Sequence, residues 1–178
     1  MEIKTTSIKD LLVIENPVFA DDRGFFTQLG RTEVINEKIG REFNIAQFNH
    51  SRSNKGVLRG VHYENMDKLV YVPNGKMIAI IVDLNPDSQN FGKYEQFELG
   101  EDNKVALFLP EGVGNSFYVL SDTADYIYLV SKKYNDTITR QIKWDDSDLN
   151  LPWPDKNPVI SERDKTAQSL REAFPQKF

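Results

Sequence analysis

His62 is the residue of this chain best suited to moving a proton near neutral pH. The sequence holds two histidines and no cysteine, so acid–base chemistry by an imidazole falls to His50 or His62. Thiolate nucleophiles, thiolate metal sites and disulfides are excluded together. Both histidines lie in the stretch Gln47–Tyr63, QFNHSRSNKGVLRGVHY, beside three basic residues, Arg52, Lys55 and Arg59. The stretch reads as a hairpin: Gln47 to Asn49 closes an apolar-rich run, Ser51 to Gly56 is a polar turn, and Val57 to Tyr63 resumes a strand-like pattern. That puts His62 inside a strand. His50 adjoins the turn, where a solvated or supporting role fits it better. Arg59 and His62 are three positions apart and in an ideal strand would face opposite ways. Gly60 between them allows a bulge that brings both to one side; the alternative is that Arg59 reaches its ligand around a rim.

Other chemistries have fewer candidates. His50 and His62 are not at a metal-ligand spacing, and no further histidine or cysteine completes a transition-metal set. No Gly-flanked serine stands on a strand-to-helix elbow. Gly56 to Gly60 lacks the following helix of a phosphate-cradling loop, so a bound phosphate has to be held by side chains, with Arg23, Arg59, Lys68 and Arg163 as candidates.

The elements that position these residues are mostly strands. Short β-branched and aromatic runs at Leu11–Ile14, Gly24–Leu29, Lys68–Val72, Met77–Leu84, Tyr94–Leu99, Lys104–Leu109, Ser116–Leu120 and Tyr126–Ser131 alternate with Gly, Pro, Asn and Asp clusters, the pattern of a sandwich or barrel. In the run at Tyr126–Ser131, Tyr126, Tyr128 and Val130 share one face while Ile127 and Leu129 share the other, which predicts an interior strand. One helix is expected after Thr32 as its cap, with Val34, Ile35 and Ile39 on one face and Gly40 at its end. A second is expected over Asp164–Phe174, after an Asp-rich loop from Asp145 to Asp155. A length of 178 residues fits one domain, 1–178, and a formal net charge of −5 argues against nucleic acid or an anionic membrane as partner. No run has signal-peptide or membrane-spanning character, so a cytoplasmic protein is expected.

The string Gly56-Val-Leu-Arg-Gly-Val-His-Tyr63 followed by Lys68-Leu-Val resembles the signature of the dTDP-4-dehydrorhamnose 3,5-epimerase family. The resemblance continues collinearly through Phe19–Phe26, Val82–Leu84, Asn90–Gly92, Pro110–Gly112, Val119–Asp122, Tyr128, Ile142–Asp146, Leu151–Pro154 and Ser161–Asp164. It implies an all-β, cupin-type jelly-roll barrel with short helices near the N-terminal side and at the C-terminus. It also implies a homodimer without cofactor or metal that acts on a nucleotide-linked 4-keto-6-deoxy sugar, inverting C3, C5 or both.

In that family His62 matches the base that removes a proton beside the ketone, Asp164 its carboxylate partner, Lys68 the cation that stabilises the enolate, and Tyr128 the donor that returns a proton from the other face. Such a reaction needs a base, a cation near the ketone oxygen and a proton donor on the opposite face, because a hydrogen next to a ketone is acidic only when the enolate is stabilised. Gln28, Gln47, Asn49, Arg59, Asn115, Tyr134 and Arg163 match or stand near positions that hold the substrate, as does Arg23, which the resemblance places across the dimer interface. Four departures mark this chain: Asn115 and Gln28 stand where the family has histidine and glutamate, Thr139 stands near a usual carboxylate, and the connection from His62 to Lys68 is about three residues shorter. The altered binding residues leave open a mono-epimerase, an epimerase of another nucleoside diphosphate hexose or heptose, and a non-catalytic sugar-nucleotide-binding module. A metal-dependent cupin enzyme is the remaining alternative, prompted by the turn Pro110–Asn115, although Asn115 stands where a ligating histidine is wanted.

Overall fold

In the computed structural model, which describes residues 1–134 and 138–178, the chain opens with two short strands, β1 (Glu2–Thr5) and β2 (Leu12–Glu15), and a hairpin of β3 (Val18–Asp21) and β4 (Gly24–Thr27). Helix α1 (Thr32–Ile39) follows, then β5 (Gln47–Asn54), β6 (Leu58–Glu64), β7 (Lys68–Asn74), β8 (Lys76–Asp83) and β9 (Tyr94–Gly100). The last strands are β10 (Ala106–Leu109), β11 (Val113–Val119), β12 (Thr123–Val130) and β13 (Thr139–Gln141), after which come two single-turn helices, α2 (Glu162–Lys165) and α3 (Leu170–Ala173). Strands β1-β2-β10-β7-β12-β5 form one sheet and β13-β6-β11-β8-β9 a second, while among the described residues β3 and β4 pair only with each other. The two facing antiparallel sheets are the cupin-type jelly roll that the resemblance implies.

The unbroken apolar runs have a simple cause: both faces of each central strand are covered. In β7, Val70 and Val72 point between the sheets with Met77, Ala79 and Ile81 of β8. Leu69 and Tyr71 point outward, against Ile35 of α1, Phe43 and Phe108. On the far side of the second sheet, Val61, Ile80 and Val82 are covered by Ile142, Leu149, Leu170 and Phe174 from the C-terminal segment. Each fully buried side chain of this size contributes roughly 1.5–3 kcal/mol, so α1 and the C-terminal tail are integral to the sandwich. Strand β12 lies between β7 and β5, as its two bulky faces predict.

Three local expectations are corrected. Thr32 does not cap α1: Arg31 holds the N-cap position without a side-chain hydrogen bond, and Thr32 is the first helical residue, although Gly40 does end the helix with φ 70°. Ser51–Asn54 is not a turn, because these residues pair in register with Thr123–Tyr126 of β12; their polarity reflects faces toward solvent and the cavity, and the turn shrinks to Lys55-Gly56. The terminal helix is broken in two. Ser161 and Ser169 each cap a separate turn, and Gln168 between them spends its backbone on Gln141 and Lys143 (Gln168 N to Gln141 O 3.1 Å, Lys143 N to Gln168 O 2.8 Å) instead of on a helix. No helix among the described residues is long and apolar enough to cross a membrane.

Candidate active site

One end of the space between the sheets is not filled by side chains. There a cavity of about 340 Å³ opens, with Arg59, His62 and Glu64 of β6 and Asn115 of β11 on one wall. Gln47, Asn49 and Ser51 of β5, Lys68 of β7 and Tyr126, Tyr128 and Val130 of β12 form the facing wall, with Tyr134 and Arg163 at the mouth. Period-two alternation selects the β5 contributors: the intervening Phe48, His50 and Arg52 face away from the cavity. His50 instead sits on Asp125, Nε2 to Oδ1 2.9 Å, beside Arg52.

Arg59 and His62 both reach this cavity because β6 bulges between them. Across the β6–β11 ladder, Phe117 pairs with Arg59 and Asn115 with His62, so three steps on one strand match two on the other. Gly60 absorbs the extra residue with φ 122°, and a Cβ there would lie 2.4 Å from the Ser116 Cβ. Glycine is required on both counts.

His62 lies between Gln141 and Asn115 in the sheet. Its Nε2 meets Asp164 Oδ1 at 2.6 Å, and the second carboxylate oxygen accepts from Ser161 Oγ at 2.9 Å. The Asp164 side chain is 3% exposed. Burial works to raise its carboxyl, but the hydrogen bond and charge of His62, the Ser161 hydroxyl and the Arg163 charge outweigh it and hold the carboxyl below its ordinary value. A neutral imidazole that donates Nε2–H to this carboxylate keeps its lone pair on Nδ1. The support is local: Ser161 caps α2 by accepting from Asp164 N, which aims Asp164 and its neighbour Arg163 from a single turn of helix.

On the facing wall the Tyr128 phenol is pushed up, first by burial and then by the Glu64 charge, against a lowering effect of Arg59. It is therefore a proton donor across the neutral range. Tyr126, fully enclosed and raised further by burial, donates its hydroxyl to Asn115 Oδ1 at 3.3 Å, which leaves the Asn115 NH₂ to act as the donor of that amide. Lys68 is 8% exposed, forms an ion pair with Glu64, and has Nζ 5.9 Å from the centre of the Tyr128 ring.

At the mouth, Arg163 donates to Tyr134 Oη at 3.2 Å, Tyr134 N to Gln47 Oε1 at 3.3 Å, and Gln47 Nε2 to Asn49 Oδ1 at 2.6 Å. Gln141, with its amide oxygen turned toward the guanidinium, accepts from Arg163 Nε at 3.0 Å. Arg59 is held by Nε on Ser53 Oγ at 3.0 Å. The arrangement suits a ligand with a polar, anionic stem at the rim and a compact polar ring within.

Of the residues singled out in the sequence, His62, Lys68, Tyr128, Gln47, Asn49, Arg59, Asn115, Tyr134 and Arg163 line the cavity, with Asp164 behind His62. Arg23 and Gln28 do not. Arg23 sits in the β3–β4 turn, paired with its own Asp21 at 2.5 Å, and Gln28 is exposed just past β4. Their segment forms a separate two-stranded sheet, and neither residue lines the cavity of its own chain. Thr139 is on β13 opposite Glu64. Sequence reading missed Glu64, Ser161 and Gln141 as site residues. A signal existed for two of them: Glu64 is two positions from His62, hence on its face, and Ser161-Glu-Arg-Asp164 has the spacing of a helix cap. Gln141 had no such signal, since only sheet pairing brings it beside His62.

The family model for dTDP-4-dehydrorhamnose 3,5-epimerase matches residues 5–172. A dTDP-4-dehydrorhamnose 3,5-epimerase of Shigella flexneri is 38% identical over 177 residues, covering 97% of this chain and 98% of that protein. Among solved structures, a 4-keto-6-deoxy sugar epimerase from the novobiocin biosynthetic gene cluster of Streptomyces spheroides superposes with a TM-score of 0.94 at 32% identity, covering 99% of this chain and 90% of that one. A 3'-monoepimerase from Streptomyces bikiniensis, in complex with dTDP-quinovose, gives a TM-score of 0.90 at 30% identity, covering 96% and 89%.

Proposed function

Because the chain belongs to the dTDP-4-dehydrorhamnose 3,5-epimerase family and is an epimerase, we propose that it inverts carbon centres beside the ketone of a nucleotide-linked 4-keto-6-deoxy sugar. It does so as one catalytic domain, 1–178, that works as a dimer. One observation carries the reading: the His62–Asp164 pair faces Tyr128 across a single cavity, with Lys68 beside the phenol.

His62 Nδ1 takes the proton from the carbon next to the ketone, and the C–H electron pair moves onto the ketone oxygen to give an enolate. Lys68 stabilises that oxygen, and Asp164 stabilises the imidazolium that forms. Tyr128 delivers its hydroxyl proton to the opposite face of the same carbon as the enolate collapses to the ketone. The phenolate and imidazolium then reset by proton exchange with water, so no oxidant or reductant is consumed. Arg59 and Arg163 at the rim suit the pyrophosphate, since guanidinium groups bind phosphate oxygens in pairs.

The dimer reading rests on the hairpin. Phe19, Phe25 and Phe26 are 62%, 58% and 66% exposed, an apolar surface of the kind that marks an interface. Docked on a partner, this hairpin brings Arg23 and Gln28 to the partner's cavity.

The test is incubation with dTDP-4-keto-6-deoxyglucose in deuterated water, followed by position-resolved NMR. Deuterium at a carbon beside the ketone together with inverted product supports the reading. Binding without exchange would make the protein a sugar-nucleotide-binding module instead.

A further inference from the structure

Among the described residues that line the cavity, Glu64 is the one carboxylate, set among the cations Arg59, Lys68 and Arg163. Its position follows from the strand: two residues beyond His62 on β6, it points from the same face of the five-stranded sheet. Lys68 starts β7 in the other sheet. The Glu64–Lys68 ion pair therefore spans the two walls of the cavity, with the side chains only 11% and 8% exposed. A pair this enclosed is not a surface contact: removing one member leaves the other charge buried and uncompensated.

We propose that Glu64 is a positioning residue of this site: its carboxylate fixes the Lys68 ammonium at the ketone end of the cavity and sets the one negative charge of the lining in the same cavity as Tyr128. This rests on the epimerase reading for its meaning in catalysis, but its electrostatic part does not. Tyr128 is faced by Glu64, Arg59 and His62 from β6, by Lys68 from β7, by Tyr126 on its own strand and by Tyr134 at the mouth. Glu64 is the single anion in that set at neutral pH. Without it, three cations remain in the cavity lining, of which Arg59 already works to lower the phenol. The same three favour a pyrophosphate. Removing Glu64 is thus expected to leave substrate binding intact or tighter while Lys68 loses the contact that holds it, so that kcat falls and KM does not rise, with Tyr128 losing its proton earlier on the alkaline side.

The experiment compares the wild type, Glu64→Gln, Glu64→Asp and the Tyr128→Phe version of each. Tyrosinate absorbance is titrated on the free proteins, and the pH–rate profile of inversion is measured with dTDP-4-keto-6-deoxyglucose. Subtracting each Tyr128→Phe titration isolates the ionisation of Tyr128. In E64Q it is expected at least about one pH unit lower than in the wild type, with the alkaline limb of inversion moving in step. Glu64→Asp retains the charge and keeps the variant set foldable. It should leave the ionisation in place while slowing turnover about tenfold through the shortened reach to Lys68. Equal ionisation of Tyr128 in the wild type and E64Q overturns the proposal, as does an unchanged pH profile in an active E64Q. A lowered ionisation in E64Q, with a wild type that fails to exchange the probe, supports the placement of charge and instead counts against the epimerase reading.

Discussion

Arg59 and His62 share one cavity although three positions separate them on β6, and Gly60 makes this possible. With φ 122° and the Asn115 carbonyl oxygen only 2.7 Å from where a Cβ would sit, Gly60 cannot be replaced without moving β11 or losing the bulge. Gly60→Ala should therefore cost roughly 1–3 kcal/mol of stability. It should also lower activity beyond what the lost stability explains, because relaxing the bulge turns Arg59 or His62 out of the cavity. Chemical denaturation alongside exchange assays decides it; a variant as stable and as active as the wild type would show that the bulge does not set the site.

His62→Asn should reduce deuterium exchange by about two to four orders of magnitude with the fold intact, the usual cost of a lost general base. Retention of more than about a tenth of the rate would remove His62 from the mechanism. Asp164→Asn should be less damaging but still severe, since the ring keeps its place and loses the charge that stabilises its protonated form.

Acid stability should follow the same pair. Burial, opposed and outweighed by His62, Ser161 and Arg163, leaves the Asp164 carboxyl below its ordinary 3.8. A depressed folded value contributes stability that is fully present above the unfolded value and is lost as pH falls through the folded one. Between about pH 5 and about pH 2 the wild type should thus lose more stability than Asp164→Asn, as read from urea midpoints. Parallel pH dependence in the two proteins would mean that Asp164 is not held as a carboxylate.

If the β3–β4 hairpin completes a neighbouring site, Arg23→Ala and His62→Ala should each be inactive alone and recover activity when mixed. Random exchange of subunits gives heterodimers with one intact site, or about a quarter of wild-type activity. Phe25→Asp with Phe26→Asp should give monomers without activity, seen by sedimentation. A fully active monomer contradicts the shared site.

Asn115 offers hydrogen bonds but no proton near neutral pH, and Tyr126 fixes its amide. The wild type is expected to label one carbon beside the ketone about tenfold faster than the other, equivalent to about 1.4 kcal/mol of barrier. Asn115→His should narrow the gap. Equal labelling in the wild type would make the amide a neutral replacement.

The sequence by itself determined the all-β class, most strand positions and nine of the cavity's lining residues, because period-two alternation and turn residues are local signals and the family resemblance runs nearly the length of the chain. It named Asp164 with His62, yet the hydrogen bond between them joins residues 102 positions apart and exists only because α2 docks against β6. What the tertiary structure alone decided follows the same logic. The helix expected over Asp164–Phe174 breaks because Gln168 finds hydrogen-bond partners beside β13. Ser51–Asn54 becomes strand because β12 offers it a ladder. Glu64 enters the site because two sheets meet across it. In each case the deciding partner is distant in the chain, and a backbone or a charge settles where its remote partner satisfies it.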